Sequence, residues 1–306
     1  MPKMPSDAEI IISKFDHEAN IASWVALATQ LKLTVKWWQP TTLPTSNPQQ
    51  NVETLTPLLT SRTRLVTCTH TSNILGSITP VRAIADAVHA ANPQALLCVD
   101  GVAFAPHRPV DVRALGVDFY AFSWYKLYGP HVAQLYASRR AQDTAMTSLG
   151  HFFKSDYTLE DKLGLAGASY ELMQSIPDVT SYLERTGWEA MVVHELVLQR
   201  VLLDYLKSKP FVYTVCGEPE ADREKRVAVI SFTVKGRDSR EVVESIEAKT
   251  PFGFRWGAFY SNRLVEEILQ LAQSGVVRVS MVHYNTVLEI DAFVRALDQE
   301  VCGAAG

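Results

Sequence analysis

Three short apolar runs in the middle of the chain constrain its fold more than any other feature. Leu96–Val99, Phe119–Phe122 and Ala133–Tyr136 are each too short for a helix and are bounded by Gly, Pro or Asp, so we predict three buried strands. Asp100 follows the first run and Lys126 follows the second. Open α/β sheets bind ligands at the carboxyl ends of their strands. We therefore expect an acid and an amine to meet at this edge of the sheet.

Similar patterns predict that strands and helices alternate along the rest of the chain. At 306 residues the chain exceeds the size at which one core usually divides, so we expect two domains, residues 1–187 and 188–306. The predicted strands are Glu9–Lys14, Thr34–Trp38, Arg64–Thr69, Arg226–Val234, Phe252–Trp256 and Val276–Ser280. The first predicted helix follows a cap at Asp16, and the last one carries Ile290 to Val301. The predicted helices between them are Val52–Leu59, Val81–Val88, Trp188–Leu206 and Ser239–Ala248.

Composition excludes several classes of partner. The net charge of -4 is spread along the chain without a basic tract, so we expect no nucleic-acid partner. No apolar run approaches the length of a membrane span, and the first residues lack a signal-peptide pattern, so we expect a cytoplasmic protein without membrane contact. The cysteines lack CxxC spacing, which favours buried thiols over disulfides. We predict no metal site.

An amine held opposite a carboxylate is what pyridoxal 5'-phosphate (PLP) requires. The lysine forms a Schiff base with the cofactor aldehyde, and the acid keeps the pyridine nitrogen protonated. The segment VDGVAFAPHRPVDVRALGVDFYAFSWYKLYGPHVAQLYAS resembles the core of class V aminotransferases, the cysteine desulfurase-like branch of fold-type I PLP enzymes, which has isopenicillin N epimerase-like relatives. The resemblance extends from DHEANIASW near the N-terminus to RVSMVHYN near the C-terminus.

This resemblance implies roles for residues around the predicted sheet edge. Lys126, in the motif S-x-[HY]-K-x-x-G-P, would be the catalytic Schiff-base lysine, with a solvated surface lysine as the alternative. Asp100 would pair with the ring nitrogen, with an acid that caps Gly101-Val102 as the alternative. His17, in DHEAN, would stack on the ring, whereas the residues alone favour a capping or surface histidine. Ser123 and Tyr125 would hold the phosphate. Tyr125 stands where relatives carry His, so it cannot contribute a positive charge and phosphate binding should depend less on pH.

Further matches concern substrate binding. Asn73, in T-H-x-S-N-x-x-G, would contact the cofactor and the substrate carboxylate, with an Asx-turn as the alternative. Arg278 would clamp the substrate α-carboxylate, which suits a guanidinium fork, with a surface arginine as the alternative. Arg255 matches the R-x-G-x-x-C loop of relatives and would also bind substrate. Tyr260 occupies the position of the persulfide-forming cysteine, and a tyrosine cannot accept sulfur in that way.

Other positions depart from the family pattern. Ala103 replaces a Gln or His near the phenolic oxygen of the cofactor, and His107 in the Pro-His pair is expected to be structural. In relatives, a loop supplies a threonine hydroxyl to the cofactor phosphate bound in the neighbouring subunit. In this chain only Ser169 could substitute for that threonine. Relatives begin with a phosphate-binding turn at a helix N-terminus, whereas the first strand here resembles the segment after that turn. We therefore expect the N-terminal part of the large domain to be missing.

The sequence thus predicts an α/β protein, with a fold-type I PLP-transferase large domain built on a mostly parallel sheet and a small α/β C-terminal domain. We expect a homodimeric lyase or transferase acting on a small amino-acid substrate. Elimination, epimerisation, decarboxylative carbon-carbon bond formation and transamination all remain open. The alternative is a non-catalytic remnant or truncated product that keeps the fold and the dimer surface but binds PLP poorly.

Overall fold

A six-stranded sheet forms the first part of the structure, a computed structural model that describes residue 5 and residues 7–148, 158–163 and 168–303. Its strands are β1 Glu9–Ser13, β2 Thr34–Trp38, β3 Thr63–Thr69, β4 Leu96–Asp100, β5 Phe119–Ser123 and β6 Ala133–Ala137. Their order is β2-β1-β3-β4-β5-β6, in which the first five are parallel and β6 is antiparallel to β5. The three strands predicted from the central apolar runs are all present.

The parallel register brings the ends of three strands to one edge. Thr69 at the end of β3 lies opposite Asp100 at the end of β4, and Asp100 lies opposite Ala121 in β5. The chain leaves β5 at Ser123 and enters a single 3-10 turn, Trp124–Lys126. The predicted acid and the predicted amine therefore lie at the same edge of the sheet.

Short helices cover both faces of this sheet. Successive strand residues point to opposite faces, so Ile11 packs in the core that contains Ile84, whereas Ile10 and Ile12 pack in the core that contains Ala28. The helices of this part of the chain are α1 Ala22–Leu31, α2 Val52–Leu55, α3 Val81–Ala91, α4 Val112–Leu115, α5 Arg139–Thr144, α6 Leu159–Leu163, α7 Tyr170–Met173 and α8 Ile176–Thr186.

A four-stranded antiparallel sheet forms the rest of the structure. Its strands are β7 Tyr213–Cys216, β8 Val229–Val234, β9 Arg255–Gly257 and β10 Val276–Ser280, in the order β7-β8-β10-β9. Its helices are α9 Trp188–Ser208, α10 Ser239–Glu247 and α11 Val287–Val301. All three helices contribute to one core with this sheet, in which Leu202, Val243 and Phe293 join Phe232 and Val277.

The two sheets meet where the segment after β3 crosses β8. Ser231 donates a hydrogen bond from Oγ to the carbonyl of Ile74 at 2.6 Å. Gly76 adopts a φ of +68°, and a Cβ at this position would lie 2.2 Å from the carbonyl oxygen of Val229. Only glycine permits both the left-handed conformation and so close a backbone approach.

Three predicted elements lose at least three residues from one end. The strand predicted over Arg226–Val234 begins only at Val229, and the other two are shortened for local reasons. The predicted helix Val52–Leu59 leaves α geometry after α2 and continues as a 3-10 turn to Leu58, because Pro57 has no backbone N–H to donate to the preceding turn. The predicted strand Phe252–Trp256 begins only at Arg255, shortly after a glycine.

Two other differences come from weak sequence signals. β7 is not predicted because it has only four residues, of which Thr214 is exposed. The sequence of residues 150–169 predicts a segment that is poor in helix. Most of it lies outside the described residues, but α6 falls within it and is helical.

Candidate active site

Asp100 ends β4 with its carboxyl group half-buried. Its Oδ1 accepts a hydrogen bond from the N–H of Val102 at 2.9 Å, whereas Oδ2 has no hydrogen-bond partner in the described part of the chain. Burial raises the pKa of Asp100, while Lys126 and His17 act in the opposite direction. A carboxylate in this state is stabilised by a cation that approaches it at the strand end.

The amine of Lys126 lies close enough to Asp100 for the two charges to shift each other's pKa. Partial burial lowers the pKa of Lys126, Asp100 opposes that shift, and Arg278 adds to it by like-charge repulsion. The side chain remains exposed, with Nζ 5.9 Å from the centroid of the Tyr125 ring. A lower pKa raises the fraction of neutral, nucleophilic amine at a given pH.

His17 caps the 3-10 turn Glu18–Asn20 and also faces Lys126. Its Nδ1 accepts a hydrogen bond from the N–H of Ala19 at 3.1 Å, so a neutral ring carries its proton on Nε2. Burial lowers the pKa of His17, and the charge of Lys126 lowers it further. A neutral imidazole of fixed orientation can still stack on a ligand ring, so the capping and stacking interpretations are compatible.

Asp16 is not the helix cap that the sequence predicted. It is fully buried, and its carboxylate accepts hydrogen bonds from the Thr69 N–H at 2.8 Å and from Asn20 Nδ2 at 2.7 Å. Burial, and then the neighbouring Asp100, raise the pKa of Asp16 to about 7. Asp16 thus joins the turn that carries His17 to the end of β3. The prediction was wrong because a cap and a buried anchor call for the same residue type and differ only in their tertiary contacts.

Arg278 in β10 reaches the segment after β3. Its Nη1 donates to the carbonyl oxygen of Asn73 at 3.0 Å, and burial lowers its pKa to about 10, so that it stays cationic at neutral pH. The Asn73 side chain, expected to contact cofactor and substrate, makes hydrogen bonds to a loop beyond β9. Its Nδ2 donates to the carbonyl of Phe259 at 3.1 Å, and its Oδ1 accepts from Ser261 Oγ at 2.9 Å. Asn73 therefore holds the loop and Arg278 together.

Tyr260 belongs to this loop, Ala258–Ser261. Its ring is 74% exposed and its centroid lies 5.3 Å from that of His17, at the position where relatives were expected to carry a reactive cysteine. Burial raises the pKa of three of the four thiols, so those thiols remain protonated at neutral pH. None of the four cysteines is on the loop: they lie in β3 (Cys68), β4 (Cys98), β7 (Cys216) and at the end of α11 (Cys302).

The remaining predicted site residues differ in how close they come to this cluster. Ser123 ends β5, and Tyr125 lies two residues on with its ring stacked on His131 at a centroid distance of 5.2 Å. Arg255 lies opposite Arg278 in the register of β9 and β10, but its Nη1 pairs with Glu247. The structure therefore does not bring the guanidinium of Arg255 to Lys126.

Ser169 is exposed at the start of α7 and makes no side-chain capping hydrogen bond there. It was expected to serve a neighbouring subunit, and a single chain leaves that a prediction. Ala103 presents only a methyl group, which cannot make the contact to the phenolic oxygen that relatives were expected to make.

His107 and His70 are two buried histidines that make packing and hydrogen-bond contacts near the candidate site. His107 is buried and its Nδ1 lies 3.0 Å from Glu195 of α9, as befits the structural role expected for it. His70, which sequence reasoning passed over, stacks on Phe104 at 3.5 Å and pairs with the Tyr120 hydroxyl at 2.9 Å. Burial lowers the pKa of His70 to about 3. The position of His70 in the T-H-x-S-N motif was the one feature of the sequence that could have pointed to this histidine.

These residues fit the aldehyde and the ring nitrogen of PLP, and fit its phosphate less well. The accessible amine of Lys126 suits the aldehyde, and the unpaired Oδ2 of Asp100 suits a protonated ring nitrogen. On the phosphate side, Ser123 and Tyr125 offer hydroxyl groups without a positive charge. The chain thus has the chemistry for the reacting half of the cofactor and a modest set of ligands for the phosphate.

The six-stranded, mostly parallel sheet and its covering helices have the fold of the fold-type I PLP-dependent enzymes. Solved structures support the fold: the cysteine desulfurase CsdA from Escherichia coli aligns with a TM-score of 0.82, 24% identity, and coverage of 98% of this chain and 73% of that one. The chain belongs to the class V aminotransferase family, whose model, described as aminotransferase class-V, matches residues 1–293. PLP is the cofactor of this family.

Two curated relatives are more similar in sequence. The "aminotransferase-like protein FGM3" of Gibberella zeae is 52% identical over 97% of this chain and 73% of its own length. The "cysteine desulfurase-like protein ustD" of Aspergillus flavus is 48% identical over 98% of this chain and 69% of its own length. The likeness therefore covers nearly the whole chain and about seven tenths of each relative.

Two other properties concern the described residues alone. None of their helices combines the length and apolar composition needed to cross a bilayer. They also contain no group of three or more His, Cys, Asp or Glu side chains placed to hold a metal ion.

Proposed function

We propose that this protein is a PLP-dependent lyase or transferase of small amino acids that works without a protein persulfide. The observation that carries the proposal is the electrostatic pairing of the Lys126 amine with the Asp100 carboxyl group at neighbouring strand ends. Burial raises the pKa of Asp100 and lowers the pKa of Lys126, so that the two values move toward each other, as is common at functional sites.

Each residue of the cluster has a part that its surroundings support. Lys126 would hold the cofactor covalently and move the proton at the substrate Cα. Asp100 would keep the ring nitrogen cationic, and His17 would stack on the ring. Arg278 binds the α-carboxylate. When bound, PLP supplies the electron sink for the negative charge that develops at Cα.

The loop Ala258–Ser261 contains no cysteine, which supports a narrower choice of reaction. In a desulfurase, turnover requires a thiolate that can attack the substrate sulfur. Here Tyr260 stands on the loop beside His17, and the cysteines lie in strands or at the end of a helix. Elimination, epimerisation, decarboxylative carbon-carbon bond formation and transamination remain consistent with the site, and all begin with a change at Cα.

The test is a titration of the purified protein with PLP, followed by incubation with a panel of L-amino acids. We expect a visible absorbance band near 420 nm on PLP binding, as is usual for this cofactor, and loss of the α-hydrogen or α-carboxylate from at least one amino acid. With cysteine as substrate, we expect sulfide and pyruvate without persulfide on the protein. Protein persulfide that is lost on mutation of any one cysteine would restore desulfuration, and a protein that stays colourless with PLP would favour the non-catalytic alternative.

A further inference from the structure

The loop Ala258–Ser261 is held in a strained conformation by the other half of the molecule. Phe259 and Tyr260 have φ values of 49° and 60°, a region that costs an L-residue about 1–2 kcal/mol. Both carbonyl groups accept hydrogen bonds: that of Phe259 from Asn73 Nδ2 at 3.1 Å, and that of Tyr260 from the Glu18 N–H at 2.7 Å. The loop thus owes its shape to the segments that carry Asn73 and His17.

This shape lays the Phe259 ring on Arg278. The ring centroid lies 3.7 Å from Cζ of the guanidinium, well within the range of a cation–π contact. The Nε of Arg278 is buried without a hydrogen-bond partner among the described residues, and Nη1 donates to the Asn73 carbonyl. The guanidinium is therefore covered on one face by the Phe259 ring and held at Nη1 by the Asn73 carbonyl. The second N–H of Nη1 and the N–H groups of Nη2 are the donors that remain for a carboxylate.

We propose that Phe259 is a positioning residue that orients Arg278 for the α-carboxylate of the substrate and thereby sets the preference for amino acids over simple amines. The inference rests on the proposed function, because it assumes that Arg278 binds that carboxylate. Without the ring, the long arginine side chain gains rotamers that point its fork elsewhere. The preorganisation that makes carboxylate binding favourable is then lost.

The experiment compares L-alanine with ethylamine, which lacks only the α-carboxylate. The cofactor-loaded protein is titrated with each probe, and the apparent Kd comes from the change in cofactor absorbance. In the wild type we expect a clear preference for L-alanine. Phe259→Leu is expected to raise the Kd for L-alanine about tenfold, as loss of a desolvated cation–π contact implies. The Kd for ethylamine and the affinity for PLP are expected to stay unchanged, so the preference for L-alanine falls about tenfold.

Two further variants separate orientation from general damage. Phe259→Tyr keeps a ring and is expected to retain the preference, whereas Phe259→Met fills the space without a ring and is expected to lose it as Phe259→Leu does. If both ringless variants keep the wild-type preference, the inference is overturned while the proposed function stands. A wild type that binds PLP but does not distinguish L-alanine from ethylamine would refute the carboxylate clamp at Arg278, and the role of Phe259 with it.

Discussion

At the scale of single residues, chemistry was easier to predict than contacts. Lys126 and Asp100 follow apolar runs in the sequence, so their meeting at a sheet edge could be inferred from the strands alone. The side chain of Asp16 differs from expectation, and that of Asn73 makes contacts that the sequence does not predict, because their partners are distant in sequence, Thr69 and Ser261 respectively. An amide or a carboxylate can serve a ligand or a loop equally well. Only tertiary structure decides between them.

Asp16 leads to a prediction about pH and stability. Its pKa rises from 3.8 to about 7 on folding, so the folded protein binds more protons in that interval. The associated stability is present below the unfolded pKa and is lost as the pH rises through about 7, with a slope of at most about 1.4 kcal/mol per pH unit.

Asp16→Asn removes this titration. We expect the free energy of unfolding of the variant, relative to the wild type, to rise by at least about 1 kcal/mol between pH 5 and pH 8. Urea denaturation of the cofactor-free proteins at several pH values measures it, with Asp86→Asn on an exposed helix face as the control. If the free energies of unfolding of the wild type and of Asp16→Asn change with pH in the same way, Asp16 does not titrate in this range.

At the scale of elements, periodicity and short apolar runs identified most strands of both sheets. Thr34–Trp38 and Val276–Ser280 form as predicted, because each is rich in strand-forming residues. The strained loop Ala258–Ser261 could not be foreseen, since nothing in the sequence FGFRWGAFYS marks two consecutive left-handed residues other than glycine. Its conformation comes from hydrogen bonds with distant segments.

The crossing of the two sheets at Gly76 gives a prediction at this scale. Gly76 and Gly236 both have positive φ, of 68° and 72°, but a Cβ at Gly76 would lie 2.2 Å from the Val229 carbonyl oxygen and one at Gly236 would meet nothing within 4 Å. Gly236→Ala should therefore cost only the backbone strain, about 1 kcal/mol. Gly76→Ala should lower the free energy of unfolding by about 1–3 kcal/mol more than Gly236→Ala does, because the sheets must separate to accept the new Cβ. Equal midpoints in urea denaturation would show that the crossing is not tightly packed.

At the scale of the whole molecule, the candidate site is open. Tyr125 is 48% exposed and Tyr260 is 74% exposed. A cleft of about 690 Å³ lies elsewhere, beside Phe104 and Trp188. Active sites usually enclose most of a ligand. A site this open is consistent with the expectation, from the family resemblance, that a second subunit completes it.

We therefore predict a homodimer in solution. Light scattering coupled to gel filtration should give a mass of twice 34.1 kDa, and Ser169→Ala should weaken PLP binding without dissociating the dimer, because this hydroxyl is expected to reach the neighbouring subunit's phosphate. Ser61→Ala, at another exposed serine, serves as a matched control. A stable monomer that binds PLP tightly would contradict the prediction.

The central claim is that Lys126 is the residue that carries the cofactor. The most direct test is borohydride reduction of the PLP-loaded protein, followed by proteolysis and mass spectrometry of the labelled peptide. We predict a single pyridoxyl group, on Lys126, that is absent from Lys126→Ala and retained in Lys162→Ala. Label on another lysine, or equal labelling of Lys126→Ala and the wild type, would contradict the account.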